Sequence, residues 1–395
     1  MKRKYVILRK KGSQRSFNPE RPVMERAIRG GTRSDFDPEP LQDPIDIEIE
    51  VDELDDRQRG MLEQEGSKLA PSMPIKLIKP KASQNSDGAF NNIAWGLEAI
   101  GATTSKFSGH GVKVAVLDTG IDAQHDAFKG INMTVKNFSH DADAHDSDGH
   151  GTHCAGTIFG KEVNGCQIGI APNIEHAFIG KVFGDQGEDS EAITRAIYWA
   201  MDSGANLISM SLGIDYPGYV TRLIQRGYKA PAATSMALEG YRENISIFNH
   251  LAGYVRNRSN FIKPCLLIAA SGNESERPEY EIAVSPPAAS SDIIAVGALD
   301  KDLNVAPFSN IKPDLCGPGV DVFSAKTAGG LISHSGTSMA TPHVAGVAAL
   351  WAEKLLSEST FSINTFRNNL LANVKTSGLQ AFNMEDYGAG LVQAP

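Results

Sequence analysis

Cysteine is scarce. There are four in 395 residues, Cys154, Cys166, Cys265 and Cys316, and none forms a C-x-x-C pair. A cysteine-rich zinc site is therefore not expected, nor is a secreted disulfide scaffold. Free thiols in a reducing compartment are the simplest reading, with two bridges left open. A basic excess is also missing: 38 Lys and Arg stand against 47 Asp and Glu, a net charge of -9. That excludes the usual electrostatics of a general nucleic-acid binder. Long apolar runs are absent too. The segment Met1–Lys11 holds four consecutive apolar residues before charge returns, whereas a secretory h-region needs about 7–15. No stretch approaches the ~18 apolar residues that span a bilayer. The expectation is a soluble, cytoplasmic protein with neither nucleic acid nor membrane as a partner.

What is present is globular composition: 41% hydrophobic residues, 38 Gly and 20 Pro. The length suits one large domain and a smaller one. Residues 1–33 carry eleven Lys/Arg against two acids, and residues 34–66 carry thirteen Asp/Glu against Arg57 and Arg59. Strands are expected at Lys4–Leu8 and at Ile45–Val51, where apolar and acidic residues alternate, with a helix over Asp55–Glu65. Ile75–Ile78 is read as closing that small sheet, so residues 1–80 form a small α+β domain. The Arg-, Pro- and Ser-rich stretch 12–43 stands apart, and the polar, turn-rich residues 81–90 read as a linker.

From residue 91 to 395 strands and helices alternate. Strands are expected at Val112–Leu117, Glu175–Val182, Asn206–Leu212, Cys265–Ala270 and Ile293–Gly297. Helices are expected at Thr152–Phe159, Glu191–Asp202 and Met339–Leu355. That alternation predicts an α/β fold, a mainly parallel sheet flanked by helices. Between Gly213 and Cys265 a loop is expected over Asp215–Thr234, then a helix over Met236–Val255.

Three segments place a reactive group beside small residues at the end of an element. Val114-Ala-Val-Leu-Asp118-Thr-Gly120 ends a strand in a carboxylate, where α/β folds place their sites. Asp148-Gly-His150-Gly-Thr-His153 opens a helix with an imidazole. Gly336-Thr-Ser338-Met-Ala-Thr-Pro342 puts a hydroxyl at a helix N-terminus, where unpaired N–H groups and the dipole favour negative charge. The set predicts acyl transfer: Ser338 attacks a carbonyl, His150 shuttles the proton, and Asp118 fixes the imidazole. The chain order Asp, His, Ser differs from the chymotrypsin and α/β-hydrolase orders. No His follows His343 to serve an esterase-type triad. In Leu267-Ile-Ala-Ala-Ser-Gly272-Asn273 a strand delivers an amide to the same edge, suited to a developing oxyanion together with the Ser338 N–H.

On these motifs the chain resembles the subtilisin-like serine proteases (subtilases) over about residues 90–395. The resemblance implies a serine endopeptidase with Asp118, His150 and Ser338 as triad and Asn273 as the oxyanion side chain. It implies that Ser211, Leu212 and Gly213 form the strand that receives a peptide substrate by backbone pairing. Residues 1–80 sit where the family carries a prodomain that assists folding and then inhibits, which implies a zymogen with autocatalytic cleavage within Lys79–Phe90 and a mature part from Asn91. The acidic turn Glu188, Asp189 and Glu191 matches the cleft edge, and opposite charge would favour Lys or Arg a few residues upstream of cleavage; a solvated turn is the plainer alternative. Ser285 is placed at the primary pocket. No cofactor is required for the chemistry. A structural calcium is conceivable, but Ala127 stands where relatives carry a ligating acid, Asp126 being its neighbour. The run Asp141, Asp143, Asp146, Asp148 has calcium-type oxygens and more often is a solvated loop. Cys154 resembles a buried thiol beneath the catalytic His in the proteinase K branch. The competing reading is a catalytically silent, prodomain-bound regulatory protein.

Overall fold

The computed structural model describes residues 2–11, 46–78, 92–184, 188–259 and 263–395. The stretch 12–43, the linker, the expected processing window and Asn91 lie outside the described residues. The chain divides into two compact units, Met1–Leu69 and Ala70–Pro395.

In the first unit the basic and acidic halves of the sequence meet as neighbouring strands. Strand β1 (Arg3–Lys10) pairs antiparallel with β2 (Ile47–Leu54), from Arg3 opposite Leu54 to Lys10 opposite Ile47. Their charges pair across the ladder, Arg9 with Glu50, and Lys11 with Asp46 at 2.9 Å, as opposite charges on adjacent strands should. Tyr5, Ile7 and Leu54 pack with Leu69. Helix α1 (Asp56–Gln64) begins at a capping box: Asp55 accepts from the Gln58 amide and Gln58 accepts from the Asp55 amide. The third strand of the sheet is β3 (Lys68–Pro71), in the order β2-β1-β3.

Ile75–Ile78 does not close that sheet. Ile75–Leu77 lies in β4 (Pro74–Leu77), which pairs with other strands of the second unit, and Ile78 follows it. The expectation fails because a four-residue apolar run specifies a strand without specifying its neighbour.

The second unit continues with helix α2 (Trp95–Ala99) and then β5 (Lys113–Asp118), β6 (Met133–Asn137), α3 (His150–Phe159), β7 (His176–Lys181), β8 (Glu188–Asp189), α4 (Ser190–Asp202), β9 (Leu207–Met210), β10 (Leu212–Ile214), α5 (Tyr216–Gln225), α6 (Ala230–Arg258) and β11 (Leu266–Ala270). It closes with β12 (Ile293–Leu299), β13 (Leu315–Pro318), the hairpin β14 (Val322–Ala325) and β15 (Leu331–His334), α7 (Thr337–Ser357), α8 (Ile363–Ala372), β16 (Val374–Lys375) and β17 (Leu391–Val392). Nine strands form one sheet in the order β16-β17-β13-β12-β11-β9-β5-β7-β6. Every neighbouring pair in it is parallel except β16 with β17. The α/β expectation therefore holds, and the fully buried runs in β5, β11 and β12 are the signature of a sheet covered on both faces.

From β5 the chain runs to β6 and β7 on one side and crosses by α4 to β9 on the other. The strand order thus reverses at β5, and such a point opens a crevice at the carboxyl ends of the strands. Asp118, Ser211 and Ser271–Asn273 follow at the ends of β5, β9 and β11. The expected loop Asp215–Thr234 is instead mostly helix, α5 and the start of α6, and the expected helix Met236–Val255 lies within α6. Asp215 caps α5 through the Gly218 amide, and each helix has Pro in its first turn, where its missing N–H costs nothing. The expected strand Asn206–Leu212 is split at Ser211 into β9 and β10.

Candidate active site

Asp118 is the last residue of β5 and 1% exposed. Its Oδ1 accepts from the Thr119 amide at 2.8 Å and lies 2.7 Å from His150 Nδ1. His150 opens α3, which packs so tightly on β5 that a Cβ on Gly151 would collide with the Gly120 carbonyl oxygen. Glycine at 151 is thus what lets the imidazole reach the carboxylate. Burial opposes charging His150, but the adjoining Asp118 carboxylate and the Cys154 sulfur together outweigh it and hold the imidazole pKa well above its ordinary value. Nε2, the ring atom that would serve a nucleophile, has no hydrogen-bond partner among the described residues.

Ser338 is the second residue of α7 and fully buried. Pro342 lies four residues on and lacks the N–H that would bond the Ser338 carbonyl. That carbonyl instead accepts from Ser211 Oγ at 3.1 Å and from Cys154 Sγ at 3.4 Å. Cys154 Sγ also lies 3.8 Å from His150 Nδ1, so the thiol sits under the imidazole and the serine together. Burial pushes that thiol up, which keeps it neutral rather than nucleophilic. Asp118, His150 and Cys154 are the one group of three potential metal ligands brought within 4.8 Å of one another among the described residues.

Asn273 follows β11. Its Oδ1 accepts from the amide and the hydroxyl of Thr337, both at 2.9 Å, which fixes the amide orientation. The nitrogen then points to the Gly336 side, where a Cβ on Gly336 would stand 2.9 Å from it. The amide is thereby aimed past the start of α7.

The cleft is filled by the chain's own residues. Strand β4 runs antiparallel between β10 and β8: Leu77 lies opposite Leu212, Lys76 opposite Gly213 and Ile75 opposite both Ile214 and Glu188. Next comes Ile78, whose carbonyl oxygen accepts a hydrogen bond from Ser338 Oγ at 2.8 Å. Its side chain is buried, and a Cβ on Gly213 would stand 3.8 Å from Ile78 Cδ1 and 3.0 Å from Ser285 Oγ. Leu212, Gly213 and Ser285 thus border the seated residue, and Ser211 holds the Ser338 carbonyl. Beside Asn273 opens a cavity of about 810 Å³ whose lining includes Glu274, Glu276, Asp300 and Asp321.

A profile of the subtilase family matches residues 109–390. The chain belongs to the subtilase family. It is 34% identical over 312 residues to an intracellular serine protease of Paenibacillus polymyxa, covering 76% of this chain and 83% of that one. It is 34% identical over 309 residues to an alkaline protease of Alkalihalobacillus alcalophilus, covering 77% and 69%. It is 33% identical over 291 residues to subtilisin DY of Bacillus licheniformis, covering 72% and 90%. The chain is a subtilisin-like serine protease.

The acids of the cleft edge are engaged within the subtilase itself. Glu188 is buried and binds the amide and the ring of His140, at 2.7 and 2.6 Å. Asp189 pairs with Arg222 at 3.3 Å and Glu191 with Arg195 at 3.1 Å. The acid that meets a lysine of the seated strand is Glu274, 2.8 Å from Lys76. The expected calcium-type acids part ways as well: Asp141 pairs with Lys181 at 3.0 Å and Asp126 with Lys129 at 2.7 Å.

Asp146 has a role that the sequence reading missed. Buried, it accepts from Thr119 Oγ1 (2.7 Å) and the Gly149 amide (2.8 Å), and from the Thr152 amide (2.8 Å) and hydroxyl (2.6 Å). It ties the residue after Asp118 to the residues around His150. The threonines next to both motifs were the available signal, but their pairing with one particular acid of four was not.

Proposed function

We propose that this subtilase hydrolyses internal peptide bonds through an acyl-enzyme on Ser338, and that it is made as a zymogen whose N-terminal region ends in its own cleft. The observation that carries this reading is the Ser338 hydroxyl bonded at 2.8 Å to the carbonyl oxygen of Ile78, at the end of a strand paired on both sides. A substrate strand in this position would present its scissile carbonyl to the same hydroxyl.

For reaction, the hydroxyl turns from the Ile78 oxygen to His150 Nε2. Ser338 Oγ bonds to the carbonyl carbon while its proton passes to Nε2, and Asp118 stabilises the imidazolium at Nδ1. The negative oxygen is received by the Asn273 amide and the Ser338 N–H. The C–N bond then breaks, His150 returns the proton to the leaving amine, and water releases the acyl group by the same relay. In the chain itself the bond addressed is Ile78–Lys79. The intracellular description of the Paenibacillus polymyxa relative supports a cytoplasmic site of action.

One observation favours the rival, a silent protein held by its own tail: Ser338 is bonded to Ile78 and His150 Nε2 has no partner among the described residues. Mass spectrometry after expression separates the two. Wild type should yield a fragment beginning at Lys79, while Ser338→Ala stays whole. Two intact proteins, or equal cleavage of both, would overturn the zymogen reading.

A further inference from the structure

The helical pair α5–α6 lies beside the seated strand well upstream of Ser338. Counting Ile78 as the first residue before the bond, Met73 is the sixth and Pro71 the eighth. Asn244, in the middle of α6 and 1% exposed, donates to the Pro71 carbonyl at 2.9 Å and to the Gly240 carbonyl at 2.9 Å. A buried amide inside a helix is costly unless it is paired, and its partner off the helix is this carbonyl. Gly240 also sits mid-helix, where glycine is unfavourable relative to alanine. A Cβ there would stand 3.0 Å from Pro71 Cγ and 3.3 Å from Met73 Sδ. The glycine makes room for the strand. Met73 is wholly buried against it, near Tyr219 of α5.

The backbone over the same stretch is held as that of a visiting peptide would be. Ser190 receives Met73 at both ends, Oγ accepting from its amide at 3.3 Å and its own amide donating to the carbonyl at 2.8 Å. The Asp215 amide donates to the Pro74 carbonyl at 2.8 Å. These are main-chain bonds and do not depend on the occupant's sequence. On this stretch the long side chain that is read is that of Met73, in the slot beside Gly240.

We infer that α5–α6 is a distal substrate-reading site, which takes an extended polypeptide substrate out to the eighth residue before the cleaved bond and selects a long, unbranched apolar side chain at the sixth. This rests on the protease reading above and extends it beyond the residues next to the scissile bond.

The test uses enzyme purified after self-cleavage and peptides with a chromogenic leaving group. One carries the eight residues Pro71–Ile78, another only Ile75–Ile78, and a third the eight with Asp in place of Met. Burying a methionine side chain predicts a kcat/KM ratio of octapeptide to tetrapeptide of roughly ten- to a hundredfold. The Asp peptide should lose most of that gain. In Gly240→Val and in Asn244→Ala the octapeptide-to-tetrapeptide ratio should shrink towards one. Each enzyme is scored by its own ratio, so poor folding of a variant does not imitate the result, and the Asp peptide tests the slot in wild type alone. A wild-type ratio near one, with the tetrapeptide cleaved, overturns the distal site and spares the protease reading: α5–α6 then serves only the chain's own tail. No hydrolysis of any peptide, with Ser338 unlabelled by a fluorophosphonate, overturns the protease reading and the site with it.

Discussion

The Lys76 ammonium lies 2.8 Å from the Glu274 carboxylate, on the third residue before the carbonyl that Ser338 addresses. Asn310 Nδ2 holds the other Glu274 oxygen at 2.7 Å, so the acid is aimed before a substrate arrives. A preference for Lys or Arg at this third position follows. Both side chains are 31% exposed, so the gain is that of a half-screened pair, roughly two- to fivefold. Glu274→Gln should lower kcat/KM by that factor for Lys peptides and leave the matching Gln peptides unchanged. Raising the salt should shrink the difference. Equal losses on both peptides would show that Glu274 acts on the site as a whole.

Asp118→Asn should cut kcat by a factor on the order of 10⁴, as loss of the orienting carboxylate does in serine proteases, with a far smaller effect on KM. The pH profile adds a second reading. Because Asp118 raises the His150 pKa, the acid limb of kcat in the wild type should lie above the ordinary histidine value of about 6.5. In the variant its residual activity should titrate at lower pH. Steady-state kinetics from pH 5 to pH 9 check both.

Asp146 anchors four donors from Thr119, Gly149 and Thr152. Burial alone would push its carboxyl up; those hydrogen bonds outweigh burial and hold it below the ordinary range. Its stabilising effect is therefore present above the ordinary carboxylate pKa and lost as pH falls through the depressed value. Asp146→Ala leaves the donors buried without their acceptor and should cost about 3 kcal/mol or more. Urea denaturation at pH 7 measures it. Loss of kcat in protein that remains folded would show the Asp118–His150 geometry depending on this tie.

His343 is fully buried in α7, and burial lowers its pKa to about 4 although Nδ1 bonds the Met339 carbonyl at 2.8 Å. The folded protein binds fewer protons there than the unfolded chain between about pH 6.5 and pH 4. Stability from this residue is thus complete above about 6.5 and drains as pH falls, by about 3 kcal/mol over the window. His150 works in the opposite sense, its contribution being lost as pH rises through its raised value. Thermal melts of Ser338→Ala against pH should steepen on the acid side, and His343→Gln should flatten that limb.

The candidate groups were legible because each sits in a short contiguous motif. The strand feeding Asp118, the glycine beside His150 and the proline after Ser338 are local choices made for local geometry. The sheet was legible for a similar reason: buried parallel strands read as unbroken apolar runs. The stretch Asp215–Thr234 is less legible: Asp215, Pro217 and Pro231 suit turns as well as helix starts, and spacing alone does not separate the two uses.

By itself, the amino-acid sequence determined which functional groups this protease carries, the α/β alternation that holds them and the order in which the chain meets them. Tertiary structure alone decided which strand accepts Ile75–Ile78, that Glu274 rather than Glu188 faces Lys76, that Asp146 ties the two motifs together and that α6 reaches Pro71. Each of these joins groups far apart in the chain. Such pairings are set by sheet register and helix packing, and a carboxylate or an apolar run reads the same in sequence whichever partner the fold supplies.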